Sequence, residues 1–470
     1  MTREGGTAGD LAIVLHSHMP YVEGFGTYPF GEEWLFDAAA RSYLPVLEVA
    51  ERLTMTVTPV LADQLEAEGV GDRMLAFLRA HRLGAAERDA ASAEPGLRPA
   101  ALADVEAYGS AIEQLDRNGG SGLRPFQDAS DRIELIPSAA THSVMPKLAT
   151  LAGRRLQVDA GLRSHRRRFG PAAGFWLPEC AYAPGVEDVL AERGLAYTCL
   201  DLSAREPDGA ALAPVSLPGG VAGFTIDWPA VSLVWSEGGY PSDPSFREYH
   251  RLSPNGVRLW AIGGHAYDPP RAGERAAEHA RSFLQSVRAR LERRASQTGR
   301  RGLCVFAIDT ELLGHWWAEG PLWLGEVLAS ADDEGVRLLT LSEALDEHEC
   351  EDRPAAESSW GEGKGLETWD NPRVGDLLWA ARRLELRVLE AARGRGEPRE
   401  PLLRAARELL AVQSSDWAFM DHRAQAGDYP YGRASAHAEA AVGALAGSGP
   451  HEPALRNLAP DLSLSPLLEP

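Results

Sequence analysis

Cysteine is scarce: the 470-residue chain has four, Cys180, Cys199, Cys304 and Cys350, with no CxxC spacing. That argues against a zinc ribbon and a disulfide framework. Three of them lie in strand-like or apolar segments, the setting of small buried hydrophobes. Long hydrophobic runs are missing too. No stretch reaches eighteen consecutive apolar residues, and the opening MTREGGTAGD carries no apolar h-region. Neither a membrane-spanning helix nor a secretory leader is expected, and the reading is a cytoplasmic protein. Positive charge is short as well, with 47 Lys and Arg against 68 Asp and Glu, a formal charge of −21. So acidic a surface repels phosphate backbones and anionic bilayers, which speaks against nucleic acid or membrane as partner. A neutral substrate is not excluded by charge.

What is present in excess is tryptophan, twelve residues, more than packing usually requires; aromatic faces are what sugar rings stack against. Short apolar runs rich in β-branched residues recur: LAIVLHSH, TMTVTPV, IELIPSAATH, GFWLPE, AYTCLD, VRLWAIGG and CVFAIDTE. They read as buried parallel strands. Helical patterns lie between them, at Glu32–Leu53, Asp72–Arg88, Leu148–Phe169, Gly185–Arg193 and Gly273–Arg294. Alternation of this kind predicts an α/β fold with a mainly parallel sheet. Polar residues gather at the C-terminal ends of the runs, where barrel enzymes place their sites, so a barrel is favoured over an open sheet. Residues 1–345 read as the barrel with helical insertions, and 346–372 as a long loop rich in glycine and tryptophan. Residues 373–450 read as a helical domain, and 451–470 as a low-complexity, loosely attached tail. No repeat at a fixed period is found.

Six stretches carry candidate chemistry. LHSHMPY puts His16 and His18 on one strand face, as metal ligands, hydrogen-bond donors to a substrate, or plain strand-end histidines. GFWLPECAY ends a strand on Glu179, partly desolvated among Trp176, Leu177, Pro178 and Tyr182, with no basic residue near in sequence. FAIDTELLGHWW supplies Asp309 and Glu311 on one side of an extended chain. Two acids from different strands in unequal environments are the minimum equipment for glycoside cleavage; a structural ion-pair network is the alternative. SAATHSVMP, SSWGEGKGLETW and SSDWAFM add His142, Trp360, Trp369, Asp416 and Trp417. Trp360 and Trp369, in a glycine-rich loop, read as sugar platforms, whereas Trp417 reads equally well as a packing residue.

In this order, LHSHMPYV, SAATH, WLPECAY, IDTELLGHWW and SSWGEGKGLETW resemble the five ordered motifs of glycoside hydrolase family 57. Among its members the likeness is to the α-1,4-glucan branching enzymes, including actinobacterial ones, and it spans Leu11 to the SSDWAFM helix. The resemblance implies a distorted (β/α)7 barrel with inserted helices and a C-terminal α-helical domain. It also implies a retaining mechanism on an α-1,4-glucan, without metal or organic cofactor, in a monomer or small homo-oligomer. By its motif Glu179 corresponds to the nucleophile and Asp309 to the general acid/base. His16, His18 and His142 match positions that bond the sugar; Trp235, Trp360 and Trp369 match glucan-guiding aromatics, with Asp416 and Trp417 nearby. Glu311, His315 and Trp316 would support Asp309 or, with Trp317, keep water away.

Retention predicts carboxyl groups about 5–5.5 Å apart, with a low pKa on the nucleophile and a raised one on the acid. One departure stands out. Branching members carry a long loop with a tyrosine at its tip between the nucleophile strand and the VWS segment. Here that region, DLSAREPDGAALAPVSLPGGVAGFTIDWPAVSLVWS, is short and lacks tyrosine, and neither Asp227 nor Trp228 can be given its role. An amylase-like hydrolase therefore stays open. So does a metal-dependent deacetylase or glycosidase using His16, His18, His142 and Asp309. A non-catalytic glucan-binding protein is the third class.

Overall fold

In the computed structural model, which describes residues 7–23, 31–205, 209–394, 399–447 and 457–469, the strands are β1 (Gly9–Ser17), β2 (Thr54–Val57), β3 (Glu134–Ile136), β4 (Tyr197–Leu200), β5 (Val215–Ser216), β6 (Ala222–Thr225), β7 (Leu303–Asp309) and β8 (Val336–Leu338). All nine residues of β1 are buried. Its unbroken apolar run is what a strand flanked on both edges and covered on both faces requires.

β3, β2, β1 and β7 form one parallel sheet, and β4 and β6 are parallel neighbours in a second, with β5 antiparallel at its edge. Single parallel bridges join the two sheets into a ring: Ser138 with Trp176, Gly174 with Tyr197, and Ile226 with Val305. The stretch 174–176 thus fills a strand position between β3 and β4. Seven parallel positions result, in the order β1, β2, β3, 174–176, β4, β6, β7. This is a distorted (β/α)7 barrel. β8 lies alongside the first three residues of β1 only. The register sets His16 beside Asp309 at the C-terminal ends of β1 and β7.

Between β2 and β3 lies an insertion of helices, among them Val70–Phe77, Gly84–Ser92 and Arg98–Arg117. After β8 the chain is helical: Gly375–Arg393, Arg399–Val412, Ser415–His422 and Tyr429–Leu445. Leu384, Val388, Leu409 and Leu410 from this region share a core with Leu156 and Ala160 of helix Leu151–Phe169, which docks the helical region on the barrel.

Two expectations fail. VRLWAIGG is not a barrel strand; it makes only isolated antiparallel bridges, Arg247 with Ala261 and Trp260 with Ala266. The glycines that end it turn the chain back, Gly264 with φ 83°, and its bridges are antiparallel. The tail is also not loose over its described residues: Leu458 and Leu467 are fully buried. The Ala459 amide donates to Asp63 at 2.7 Å, and Arg193 pairs with Glu469 at 2.8 Å. Residues 451–456 lie outside the described residues.

The N-terminal end of the barrel is pinned by Asp10. Its buried carboxylate accepts from Arg301 at 2.6 Å and Arg337 at 2.7 Å, and bonds His348 at 2.9 Å. Burial raises its pKa, but these partners outweigh burial and hold it well below the usual carboxylate range. Removing one member of a buried pair costs about 3–5 kcal/mol, less where the partners reach water. Asp10→Ala should therefore lower stability by about 2–3 kcal/mol, read as a fall in Tm; an unchanged Tm would refute this role. The stabilisation is present above the carboxylate's unfolded pKa and fades as pH falls through its depressed folded one.

Candidate active site

Two residues lining one cavity adopt left-handed backbone, His142 (φ 58°) and Glu179 (φ 61°), and so does the buried Cys180 (φ 48°) that follows Glu179. Such geometry costs about 1–3 kcal/mol per residue and persists only where the surroundings impose it. Pro178 holds Leu177 extended, the chain turns over Pro178–Cys180, and Trp360 clamps the result. The Trp360 amide donates to the Glu179 carbonyl at 3.0 Å, and its indole N–H donates to Glu179 Oε2, also at 3.0 Å. The long loop after β8 is thereby bonded to Glu179 at both backbone and side chain.

The second carboxylate oxygen, Oε1, accepts from Ser415 Oγ at 2.8 Å. Ser415 opens helix Ser415–His422, so a residue of the helical region completes the site. A hydroxyl has one proton. Since Ser415 gives its proton to Glu179, His142 Nδ1, 2.8 Å from the same oxygen, must donate. Burial holds the His142 pKa well below its usual value, so the ring is neutral and its Nε2 accepts, from His16 Nε2 at 2.9 Å. His16, also kept neutral by burial, then has a bare Nδ1, which finds no hydrogen-bond partner among the described residues. The donors run in one direction, His16 to His142 to Ser415 to Glu179. Each bond polarises the next toward the carboxylate.

His18 behaves differently. Burial lowers its pKa, but Asp416, bonded to Nε2 at 3.0 Å, together with Glu311 and Glu179, raises it overall. Its ring stacks on His142 with centroids 3.9 Å apart, and its Nδ1 lies 3.1 Å from Thr58 Oγ1. Glu311 accepts from the His18 amide at 3.0 Å and from the Tyr43 hydroxyl at 2.5 Å. Asp309 makes no hydrogen bond to a described residue; it faces the cavity.

Burial dominates the acids. It pushes Glu179 up to about 7 against the Ser415 and Trp360 bonds. It pushes Asp309 up to about 6 against the pull of His18. Burial and then the Asp309 charge push Glu311 up to about 8. The expected low value on Glu179 is not found, because it is buried, its neighbours Asp416 and Asp309 repel its charge, and among the described residues no Arg or Lys pairs with it. Both acids are thus raised toward neutral pH, where each can hold or release a proton.

The cavity has a volume of about 380 Å³, within the range of small-ligand pockets. His16, His18, His142, Glu179, Asp309 and Glu311 line it, as do Trp235, Trp316, Trp360 and Asp416. Four other residues lie elsewhere. Trp369 is buried with Val144, Ala181 and Leu366. Trp417 is buried too, its N–H donating to the Ala411 carbonyl at 2.7 Å. Their apolar neighbours close over both rings, so neither offers a platform to a sugar. Trp317 packs on Trp323 and Phe246. His315 does not support Asp309; the glycine turn at Gly314 (φ 97°) sends it to the opposite side, against Tyr249 and Trp316.

Three participants escaped the sequence reading. Ser415 lay in the quoted SSDWAFM, but serine beside aspartate carries no distinctive signal. Tyr43 sits in a helical pattern and gives none. Trp228, seen but unassigned, lines the cavity with Val231, Phe419 and Met420, and Lys364 Nζ lies 3.0 Å from its ring centre. No tyrosine lines the cavity among the described residues. Donor atoms of His18, His142 and Asp416 lie within 4.8 Å of one another and could hold a cation. That set differs from the expected one, and both ring nitrogens of His142 are already engaged.

Comparison with known proteins places this geometry. Residues 12–231 match the family model "Glycosyl hydrolase family 57", and residues 377–447 match "1,4-alpha-glucan branching enzyme, C-terminal". The chain is 33% identical to a 1,4-alpha-glucan branching enzyme of Thermococcus kodakarensis, over 91% of this chain and 72% of the relative. It is 34% identical to the "Probable 1,4-alpha-glucan branching enzyme" of Mycobacterium tuberculosis H37Rv, over 93% and 92%. The crystal structure of a GH57-type branching enzyme from Pyrococcus horikoshii superposes with a TM-score of 0.90 at 31% identity, covering 98% of this chain and 97% of that one.

The Ser415 bond stabilises the ionised form of Glu179. Ser415→Ala should raise the Glu179 pKa further above that of Asp309 and so move the alkaline limb of the pH–rate profile to higher pH, with Trp360→Phe moving it the same way. A residue that only held the fold would lower the rate at every pH without moving the limb.

Proposed function

The chain belongs to glycosyl hydrolase family 57, among its α-1,4-glucan branching enzymes, and we propose that Glu179 and Asp309 carry the transfer. The observation that supports this assignment is their contrast within one cavity. Glu179 is fixed by donors at both carboxylate oxygens, as a nucleophile must be aimed, and Asp309 faces the cavity unbonded, as a proton carrier must be free. In the first step Glu179 attacks the anomeric carbon of an α-1,4 bond while Asp309 gives its proton to the departing 4-oxygen. In the second, Asp309 takes the proton of an incoming 6-hydroxyl, whose oxygen displaces Glu179 and forms the α-1,6 branch. Glu311, held protonated near neutral pH by burial, adds no charge beside Asp309.

Branching instead of hydrolysis requires the glycosyl-enzyme to outlast attack by water. Trp228, Trp235, Trp316, Phe419 and Met420 wall the cavity with apolar surface, which supports this part of the reading. Trp235 and Trp316, each about half exposed, present faces on which successive glucose rings can stack. His16 and His18 line the same cavity, and the bare Nδ1 of His16 can accept from a sugar hydroxyl.

Glu179→Gln and Asp309→Asn should each reduce turnover of amylose by at least about 10³-fold. Wild-type product should show new α-1,6 linkages by proton NMR. Reducing ends without branches would replace this reading by an amylase-like hydrolase. Rates that collapse with a chelator and return with a divalent ion would favour the metal reading built on His18, His142 and Asp416. The pH–rate profile should be bell-shaped and centred between about 6 and 7, the values of Asp309 and Glu179.

A further inference from the structure

A second cavity, of about 790 Å³, opens on the other side of the turn that carries Glu311 and Trp316. It shares no lining residue with the catalytic cleft, and its electrostatics are the reverse. In a chain with a formal charge of −21, Arg41, Arg82, Arg88 and Arg258 line it against two acids, Asp37 and Asp104. Those acids are already committed. Asp104 accepts from Arg41 at 3.0 Å and also from the buried Arg247, and Asp37 accepts from Arg82 at 2.8 Å. Among the described residues no carboxylate lies within ion-pair distance of Arg88 or Arg258. Arg258 is partly buried, donates to the His315 carbonyl at 3.2 Å, and lies 3.8 Å from the centre of the Tyr249 ring. A partly desolvated cation without a counter-charge is unfavourable until an anion joins it.

The aromatic rings decide between a sugar and an anion. In the catalytic cleft the indoles of Trp235 and Trp316 are open to a ligand. Around the second cavity each ring is taken by a guanidinium: Arg41 at Tyr108 (5.2 Å), Arg82 at Phe77 (4.8 Å) and Arg258 at Tyr249. A ring used in this way cannot stack on a pyranose, whereas a guanidinium fixed against a ring presents its N–H edge to a phosphate. The space is far larger than a phosphate group alone needs, and Asn255 and His81 also line it.

We propose that this cavity binds an organic phosphate, a phosphomonoester on a body of about sugar size, with Arg258 and Arg88 as its anchors. Its occupancy reaches the catalytic cleft through Tyr249, which holds Arg258 on one side and packs on Trp316, ring centres 4.6 Å apart, on the other.

Calorimetric titration of the full-length protein with glucose 6-phosphate, inorganic phosphate and maltotriose tests this. Glucose 6-phosphate should bind with saturating maltotriose present, weaken with added salt, and lose about tenfold or more in affinity in Arg258→Met and in Arg88→Met. Arg88 is exposed, so its variant reads out even if Arg258→Met fails to fold. Binding should also change tryptophan emission, and that change should vanish in Trp316→Phe while binding remains. The proposal is overturned if glucose 6-phosphate does not bind, if maltotriose displaces it, or if Arg88→Met binds as the wild type does. Inorganic phosphate binding as tightly as glucose 6-phosphate would overturn the organic body, and unchanged emission would overturn the link to the cleft.

Discussion

Four carboxyl groups, Glu179, Asp309, Glu311 and Asp416, share one cavity in which the pKa of His18 is raised and, among the described residues, no Lys or Arg pairs with them. Their mutual repulsion is the constraint around which the site is organised. It is relieved in three physical ways. His18 binds Asp416 as its counter-charge, burial keeps Glu311 protonated near neutrality, and a one-way chain of donors ending in Ser415 favours charge on Glu179. Asp309 accepts no side-chain hydrogen bond from a described residue and feels only the pull of His18.

That arrangement cannot be made by the barrel alone. Glu179 sits on a turn with two consecutive left-handed residues, and the conformation is held from outside by the Trp360 loop and by the first turn of helix Ser415–His422. The helical region is therefore part of the cavity that holds Glu179 and not an appendage to it. The docking of helix Leu151–Phe169 against the C-terminal helices and the fastening of the tail serve the same end, since a shift of Ser415 would break the donor chain at its last link.

Much of this was legible before any coordinates. The unalternating apolar runs announced parallel strands, and their polar ends announced which face of the barrel would hold chemistry; His16, His142, Glu179 and Asp309 do meet there. Helix boundaries at Leu151–Phe169 and Pro269–Thr298 fall within a few residues of the pattern. What misled was context. VRLWAIGG has the composition of a strand but no neighbour to pair with. Trp369 looked like an exposed platform because it lies among glycines, yet the loop folds inward and buries it. His315 is four residues from Glu311, but the turn at Gly314 places the two on opposite sides of the chain.

By itself the sequence determined the strand order of the chemistry, the identity of the two acids placed in the cavity, and the class of fold, because these follow from local periodicity and residue type. Only the tertiary structure decided which way the protons point, which tryptophans meet solvent, and how high the acids titrate. Those properties depend on burial and on partners 126 to 398 residues apart, such as His16 with His142 and His18 with Asp416, and no local pattern encodes such distances.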